Sequence, residues 1–339
     1  MKNLITLIIL LVCFQTFAQR KPKIKGNKSV IEVREVLPSF KAIELIDELV
    51  QEHDFDRASL ISLFAGAERK ESILEAIAKP AEKRLEWFEY RRIFITKDRI
   101  EKGQAFIQQY LTTLEKAEQQ FGVPKEIIAA IIGVETRYGI HKGNHRVLDA
   151  LATLGFDYPP RAKFFSSELK HALLLAKEQG FDIKEMKGSY AGAMGYGQFI
   201  PSSYRHYAID FDGDKVADIL DNPVDAIGSV ANYFSMHRWK KGEAVAFLLS
   251  EHKLDSSAVK YTSKSLKPSF TIAEMRKSGI TIPKELATED IAKIQNFQLE
   301  NGEQNWLTLH NFHVITRYNH SHLYAMAVFE LAKELGLSK

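Results

Sequence analysis

The chain has 339 residues, 45% hydrophobic, 11% aromatic and 26% charged, an ordinary globular balance that excludes bulk disorder and collagen-like repeats. Its 46 Lys and Arg against 43 Asp and Glu leave a formal charge of +3, too even for a dedicated nucleic-acid binder, whose basic residues gather in one strong patch. The single cysteine excludes an internal disulfide and a cysteine-built metal cluster, and at roughly 150 residues per domain the length points to about two domains.

That cysteine, Cys13, lies in the apolar run Leu4 to Phe14, which follows Lys2 and leads to Thr16-Phe17-Ala18. A positive start, an apolar core and small residues before a cut after Ala18 make residues 1–18 an export signal, too short to span a bilayer. The alternative is acylation of Cys13, although Val12 stands where a small residue is expected. Cleavage leaves a thiol-free protein in the periplasm or cell envelope, with membrane association left open. Residues 19–37 carry Lys21, Lys23, Lys25 and Lys28 beside Pro22 and Gly26. They read as a solvated leader or as a contact with an anionic envelope surface. Residues 38–120 form a helical lobe, with Ile43, Ile46, Leu49 and Val50 as one stripe, Leu45 at its flank, and Leu60, Leu63 and Phe64 as another. The aromatic stretch Glu86 to Phe94 fits a core or a binding site, and one helix is expected from Lys97 to Gln120.

The next helix carries chemistry. Pro124 suits a first helical position and Gly139 follows the last turn, which predicts a helix over 124–138. Ile127, Ile128, Ile131, Ile132 and Val134 form its buried side, and Glu135 lies on or beside that face, four residues after Ile131. Desolvation and the negative end of the helix dipole both disfavour the carboxylate there. A carboxyl group kept protonated near neutral pH is what a general acid requires. The competing expectation is a buried ion pair with Arg137 or Arg161.

Ser189 to Pro201 interleaves three glycines with Tyr190, Tyr196 and Gln198, without the Lys and Ser or Thr of a phosphate loop. It suits the wall of a groove for a neutral polar polymer such as a glycan, or a tight helix-packing turn. The segment Asp210 to Asp221 then places acids at positions one, three, five, nine and twelve of a calcium-type loop. Lys215 replaces the usual Gly at position six, and the closing ligand is either the short Asp221 or Asp225; the alternative is an acidic surface turn without metal. His310, His313, His320 and His322 lack the spacing of a zinc motif. Residues 243–305 change to Ser- and Lys-rich turns and a polar helix from about Ala287, read as a small inserted α+β lobe, and residues 306–339 close the chain with a helix ending before Gly336.

Five blocks in order resemble one family: Phe121 to Pro124, Gly133-Val134-Glu135-Thr136-Arg137-Tyr138-Gly139, the Ser189 to Pro201 loop, Val224 to Phe234, and Val314 to Asn319. From about Pro80 to Leu335 the chain resembles the membrane-bound lytic murein transglycosylase B type of the lysozyme-like superfamily. The resemblance implies a mainly α fold: a lysozyme-like core over 121–242, completed by 306–339, flanked by the two lobes, with a glycan groove and a calcium loop. It implies a monomer acting on peptidoglycan glycan strands, with no organic cofactor, cleaving the β-1,4 bond between N-acetylmuramic acid and N-acetylglucosamine and leaving a 1,6-anhydromuramyl end. The family's single acid-then-base Glu falls on Glu135. Its sugar contacts fall on Ser189 and Gln198, its groove residues on Tyr233, Tyr318, Asn319 and Tyr324, and Tyr90 joins them from the N-terminal lobe. Arg161 matches one of a peptide-stem arginine pair, with Pro160 in place of the other. The calcium set falls on Asp210, Asp212, Asp214, the Val216 carbonyl and Asp225. A hydrolytic muramidase and a non-catalytic, calcium-dependent peptidoglycan binder remain the alternatives.

Overall fold

The computed structural model describes residues 40–78 and 85–338, so the export signal, Cys13 and the basic leader lie outside the described residues. Helices Phe40–His53, Arg57–Ala65, Glu71–Ala78 and Trp87–Phe94 open the chain. In the first of these Ala42, Leu45, Ile46 and Leu49 are buried while Ile43 is 38% exposed. The stripe is therefore turned relative to the expected one: positions 42, 45, 46 and 49 keep helical spacing, and Leu45 is core rather than flank. Trp87, Tyr90 and Phe94 are buried together. Trp87 meets Phe297 edge-on at 5.5 Å, tying this helix to the far end of the chain.

The single helix expected from Lys97 to Gln120 is two, Lys97–Gln109 and Leu111–Phe121, interrupted at Tyr110. Both halves keep a buried stripe, Gly103 and Phe106 in one and Leu114 and Ala117 in the other. The apolar period thus runs through the break, and no Gly or Pro marks it. Helix Lys125–Thr136 follows at the centre of the molecule, with every residue from Ile127 to Thr136 buried. It starts one residue later than expected, with Pro124 as the flanking residue, and stops two earlier because Arg137 and Tyr138 turn left-handed (φ 54° and 60°).

Helices Pro223–Met236 and His322–Glu334 pack against this central helix, and Val147–Asp157, Ala162–Gln179, Pro201–Tyr207 and His310–Tyr318 join the same apolar cluster. That cluster runs from Ala42 to Ala332. A second, smaller cluster, including Tyr261, Ile272, Met275, Ile294 and Leu307, belongs to a four-stranded antiparallel sheet and its short helices. Its strands are Ala246–Ser250, Phe270–Thr271, Ile291–Gln298 and Glu303–Thr308, in spatial order first, fourth, third, second. Strand Ile291–Gln298 lies where a polar helix was expected. Asn301-Gly302 makes the turn, with Gly302 at φ 98° and the Leu299 N–H donating to the Gly302 carbonyl at 2.9 Å. An Asn-Gly pair between two mixed polar and apolar runs is a hairpin signal that outweighs helical propensity. Phe297 and Trp306 leave the small sheet for the main cluster, Trp306 meeting Phe329 at 5.9 Å.

One hydroxyl secures the loop between helices Pro201–Tyr207 and Pro223–Met236. Tyr204, 1% exposed, donates to the Ala217 carbonyl at 2.7 Å and accepts the Ile219 N–H at 3.0 Å. Tyr204→Phe leaves both backbone groups without that partner, at an expected cost of about 1–3 kcal/mol. Urea unfolding should show a lower midpoint at unchanged slope.

Candidate active site

The central helix carries Glu135 in its last turn and leaves it 4% exposed. The left-handed residues that stop the helix there cost about 1–2 kcal/mol each for a side chain bearing a Cβ. Two features hold them. The Arg137 guanidinium pairs with Asp98, its Nε donating at 3.0 Å. The Tyr138 ring fills a notch between two helices in which a Cβ at Gly103 or Gly133 would meet its hydroxyl at 2.3 or 2.5 Å. Thr136 Oγ1 completes the turn, reaching the carbonyls of Ile132 and Tyr196 and accepting the Gly139 N–H at 2.9 Å.

With Arg137 committed to Asp98, the expected ion pair to Glu135 does not form. Arg161 stacks instead over Phe164 at 4.2 Å and Phe165 at 5.1 Å. Glu135 Oε1 accepts a hydrogen bond from the Tyr324 hydroxyl at 2.6 Å. Burial pushes the carboxyl up to about 8, and the Tyr324 bond opposes the rise only in part. Burial raises the hydroxyls of Tyr90, Tyr318 and Tyr324 as well, and the charge of Glu135 adds to each. The carboxyl is therefore set among three phenols from three separate helices.

Those phenols are placed by their own partners. The Tyr318 hydroxyl donates to the Gly197 carbonyl at 2.6 Å, fixing the Ser189 to Pro201 loop against helix His310–Tyr318. Its ring lies parallel to that of Tyr324 at 6.5 Å. Asn319, half-buried, ends the Tyr318 helix, and its carbonyl accepts the N–H of Ser321, the residue that caps the Tyr324 helix. Tyr233 is 8% exposed, its ring meets Tyr318 at 4.7 Å, and its hydroxyl donates to the Arg317 carbonyl at 2.5 Å. Its hydroxyl is thus engaged with backbone, and its ring backs that of Tyr318.

The glycine-rich loop is folded on Met194, which bridges both Gly188 and Phe199. Ser189 Oγ accepts the N–H groups of Ala191 and Ala193, so its own proton is the remaining donor. Gln198 sits at φ 50°, its amide nitrogen donating to the Lys142 and Gly195 carbonyls, which leaves its oxygen as the acceptor. Arg161 occupies a separate surface hollow with Pro159 and Phe164. Sequence reasoning passed over Lys142, whose ammonium lies 4.9 Å from the Tyr196 ring centre and donates to Asp221 at 2.6 Å. No local pattern marks a contact spanning this distance along the chain.

The same Lys142 contact decides between the two closing residues of the acidic loop. Asp221 faces outward to Lys142, whereas Asp225 joins Asp210, Asp212 and Asp214, with one oxygen of each within 4.8 Å of the others. Lys215 takes the left-handed conformation (φ 79°) at the position that usually holds glycine. Val216 donates its N–H to Asp214, and the Asn222 side-chain amide donates to both Asp212 and Asp225. Burial, and then the charge of Asp212, push the Asp225 carboxyl up against the Phe211 and Asp218 N–H bonds that lower it. Among the described residues none of the four acids carries a salt bridge. A convergent all-oxygen set without a side-chain cation fits a hard divalent ion such as Ca2+.

A profile of the transglycosylase SLT domain matches residues 40–333. The chain is 43% identical over 307 residues to membrane-bound lytic murein transglycosylase B of Escherichia coli (strain K12), covering 88% of this chain and 83% of that protein. Among solved structures it is similar to catenated lytic transglycosylase SltB1 from Pseudomonas aeruginosa, with TM-score 0.83 and 46% identity over 88% of this chain and 97% of that one. It is also similar to the Escherichia coli lytic transglycosylase Slt35 in complex with calcium, with TM-score 0.81 and 42% identity over 91% and 99% of the two chains. The lysozyme-like, mainly α fold expected from sequence is the fold observed.

The buried carboxyl makes a stability prediction with a defined sign. A carboxyl whose folded value is about 8 stays protonated while the unfolded chain, titrating near the ordinary glutamate value of 4.5, loses its proton. Folded stability from this group is full below about 4.5 and is lost as pH rises toward about 8. Thermal melts of Glu135→Gln, which cannot ionise, should therefore gain on the wild type steadily from pH 5 to pH 8. A difference independent of pH would exclude the raised value.

Proposed function

The chain belongs to the transglycosylase SLT domain family, and from that membership we propose that Glu135 performs both proton transfers of a lytic cleavage of peptidoglycan. The enzyme is a peptidoglycan lytic transglycosylase: it breaks the β-1,4 bond between N-acetylmuramic acid and N-acetylglucosamine and leaves a 1,6-anhydromuramyl end. The observation that supports the assignment is a buried carboxyl, pushed up to about 8, whose titrating neighbours are tyrosines. Protonated Glu135 donates to the glycosidic oxygen as the bond to C1 breaks. The carboxylate so formed accepts the proton of the muramyl C6 hydroxyl while that oxygen closes on C1, and Glu135 returns to its starting state. The Tyr324 hydroxyl, donating to Oε1, steadies the carboxylate between the two transfers. Two-carboxylate glycosidases hold their acids about 5–5.5 Å or 6.5–9.5 Å apart. Among the described residues no carboxylate adds to the rise at Glu135, which favours the intramolecular hydroxyl over an activated water.

Ser189 and Gln198 supply one donor and one acceptor for the sugar beside the cleaved bond. Tyr90, Tyr318, Asn319 and Tyr324 line the groove, Tyr233 backs it, and Arg161 meets the peptide stem at its margin. Asp210, Asp212, Asp214, Asp225 and the Val216 carbonyl would hold Ca2+, which would supply a structural clamp for that loop. The protein works as an exported monomer on glycan strands in the periplasm or cell envelope. Among the described residues no helix is long and apolar enough to cross a membrane.

Digestion of isolated sacculi followed by mass spectrometry should yield anhydromuramyl ends; reducing muramic acid instead would make the enzyme a hydrolase. Glu135→Gln should abolish turnover and retain glycan binding, because an amide has no proton to donate. The wild-type rate should fall as pH rises through about 8. Added Ca2+ should raise the melting temperature and EDTA should lower it. Asp225→Asn should remove that difference.

A further inference from the structure

A cleft of about 1120 Å3 lies between the small sheet lobe and the main core, and neither Glu135 nor Tyr90, Tyr318 or Tyr324 lines it. Its core wall is basic. His310, His313 and Arg317, spaced by three and four residues, present one face of helix His310–Tyr318, and Arg238 joins them from the end of helix Pro223–Met236. Lys267 completes the set from the lobe side. Burial first, and then the neighbouring Arg317, His310, Lys267 and His320, hold the His313 imidazole below its usual value, so the wall already disfavours a further positive charge. Among the described residues the side chains of Arg238, Lys267 and Arg317 make no hydrogen bond or salt bridge. The lobe also lines the cleft with Glu285, Glu289 and Asp290, and Glu285 is likewise without a hydrogen-bond or salt-bridge partner among the described residues. Folding has thus assembled cations and carboxylates around one volume without pairing several of them with each other. Uncompensated charges of both signs favour a ligand that carries both.

We infer that this cleft is a second binding site, for a zwitterionic peptide whose carboxylate lies against His313, Arg317 and Lys267 and whose ammonium lies against Glu285 and Glu289. The inference rests on the peptidoglycan reading above, since the stems of that polymer are short peptides with free carboxylates and, at a diamino acid, a free amine. The site would hold a strand by its stem at residues separate from the hollow that contains Arg161.

Calorimetric titration of the full protein tests this with three ligands: a stem tripeptide ending in a diamino acid, its carboxyl-amidated form and its amine-acetylated form. The free peptide should bind saturably, and amidation or acetylation should each weaken binding on the order of tenfold. Lys267→Gln/Arg317→Gln should weaken the free peptide to a similar degree. Glu285→Gln should weaken the free peptide and leave the acetylated one unchanged. On peptide-free glycan strands Lys267→Gln and Glu285→Gln should turn over as the wild type does, and on peptide-bearing sacculi they should be slower. Equal binding of all three ligands, displacement of the peptide by inorganic phosphate at equal concentration, or no saturable binding by an enzyme that still cuts sacculi would each overturn the inference. Failure of the lytic reading is separate, since it would show as the absence of anhydromuramyl ends from every strand, with or without stems.

Discussion

Desolvation of one carboxyl sets the terms for the rest of the molecule. Glu135 sits in the last turn of a helix whose preceding residues from Ile127 onward are all buried, so its surroundings were fixed by packing before any substrate arrives. Ionising it there costs more than in water, and the negative end of the helix adds to that cost. The fold answers with a neutral donor rather than a cation. An arginine at Oε1 would hold the group ionised, whereas the Tyr324 hydroxyl tolerates both protonation states. The placement of Arg137 follows from the same requirement: the nearest guanidinium along the chain is turned through a left-handed residue and bound to Asp98 on a neighbouring helix.

The surrounding elements can be understood as supports for that setting. Tyr324 needs helix His322–Glu334 alongside the central helix, and Arg91 to Glu330 at 2.6 Å ties that helix to the one bearing Tyr90. Tyr318 links the carboxyl's neighbourhood to the glycine-rich loop through the Gly197 carbonyl. The Tyr196 N–H, donating to the Ile219 carbonyl at 3.1 Å, then links that loop to the acidic one. An ion held by Asp210, Asp212, Asp214 and Asp225 would thus act at a distance, stiffening a loop that stiffens the wall of the groove.

Much of this could be read from residue order. A Glu on an isoleucine-rich helical face, and alternate aspartates on a turn, are local signals, and both point to chemistry because their surroundings are unfavourable without it. What could not be read was non-local. Tyr324 lies 189 positions from Glu135, and Lys142 lies 79 from Asp221, so neither contact leaves a spacing to recognise. The strand Ile291–Gln298 differs for another reason: its polar composition resembles that of an exposed helix, and the Asn301-Gly302 turn decides its conformation. The turned stripe in Phe40–His53 shows the same limit at smaller scale, since alanine at position 42 marks a buried face less visibly than isoleucine at 43.

The central helix has a further consequence for how the protein comes apart. Local opening draws on segments with few buried contacts, and a segment enclosed on every side opens only when the whole domain does. Amide protons of Ile131 to Thr136 therefore belong to the slowest-exchanging class, while the acidic loop, with Asp212, Gly213, Asp214 and Lys215 exposed, belongs to a fast one. Heat reaches the loop first, and the acid at the centre keeps its environment until the last cooperative unit is lost.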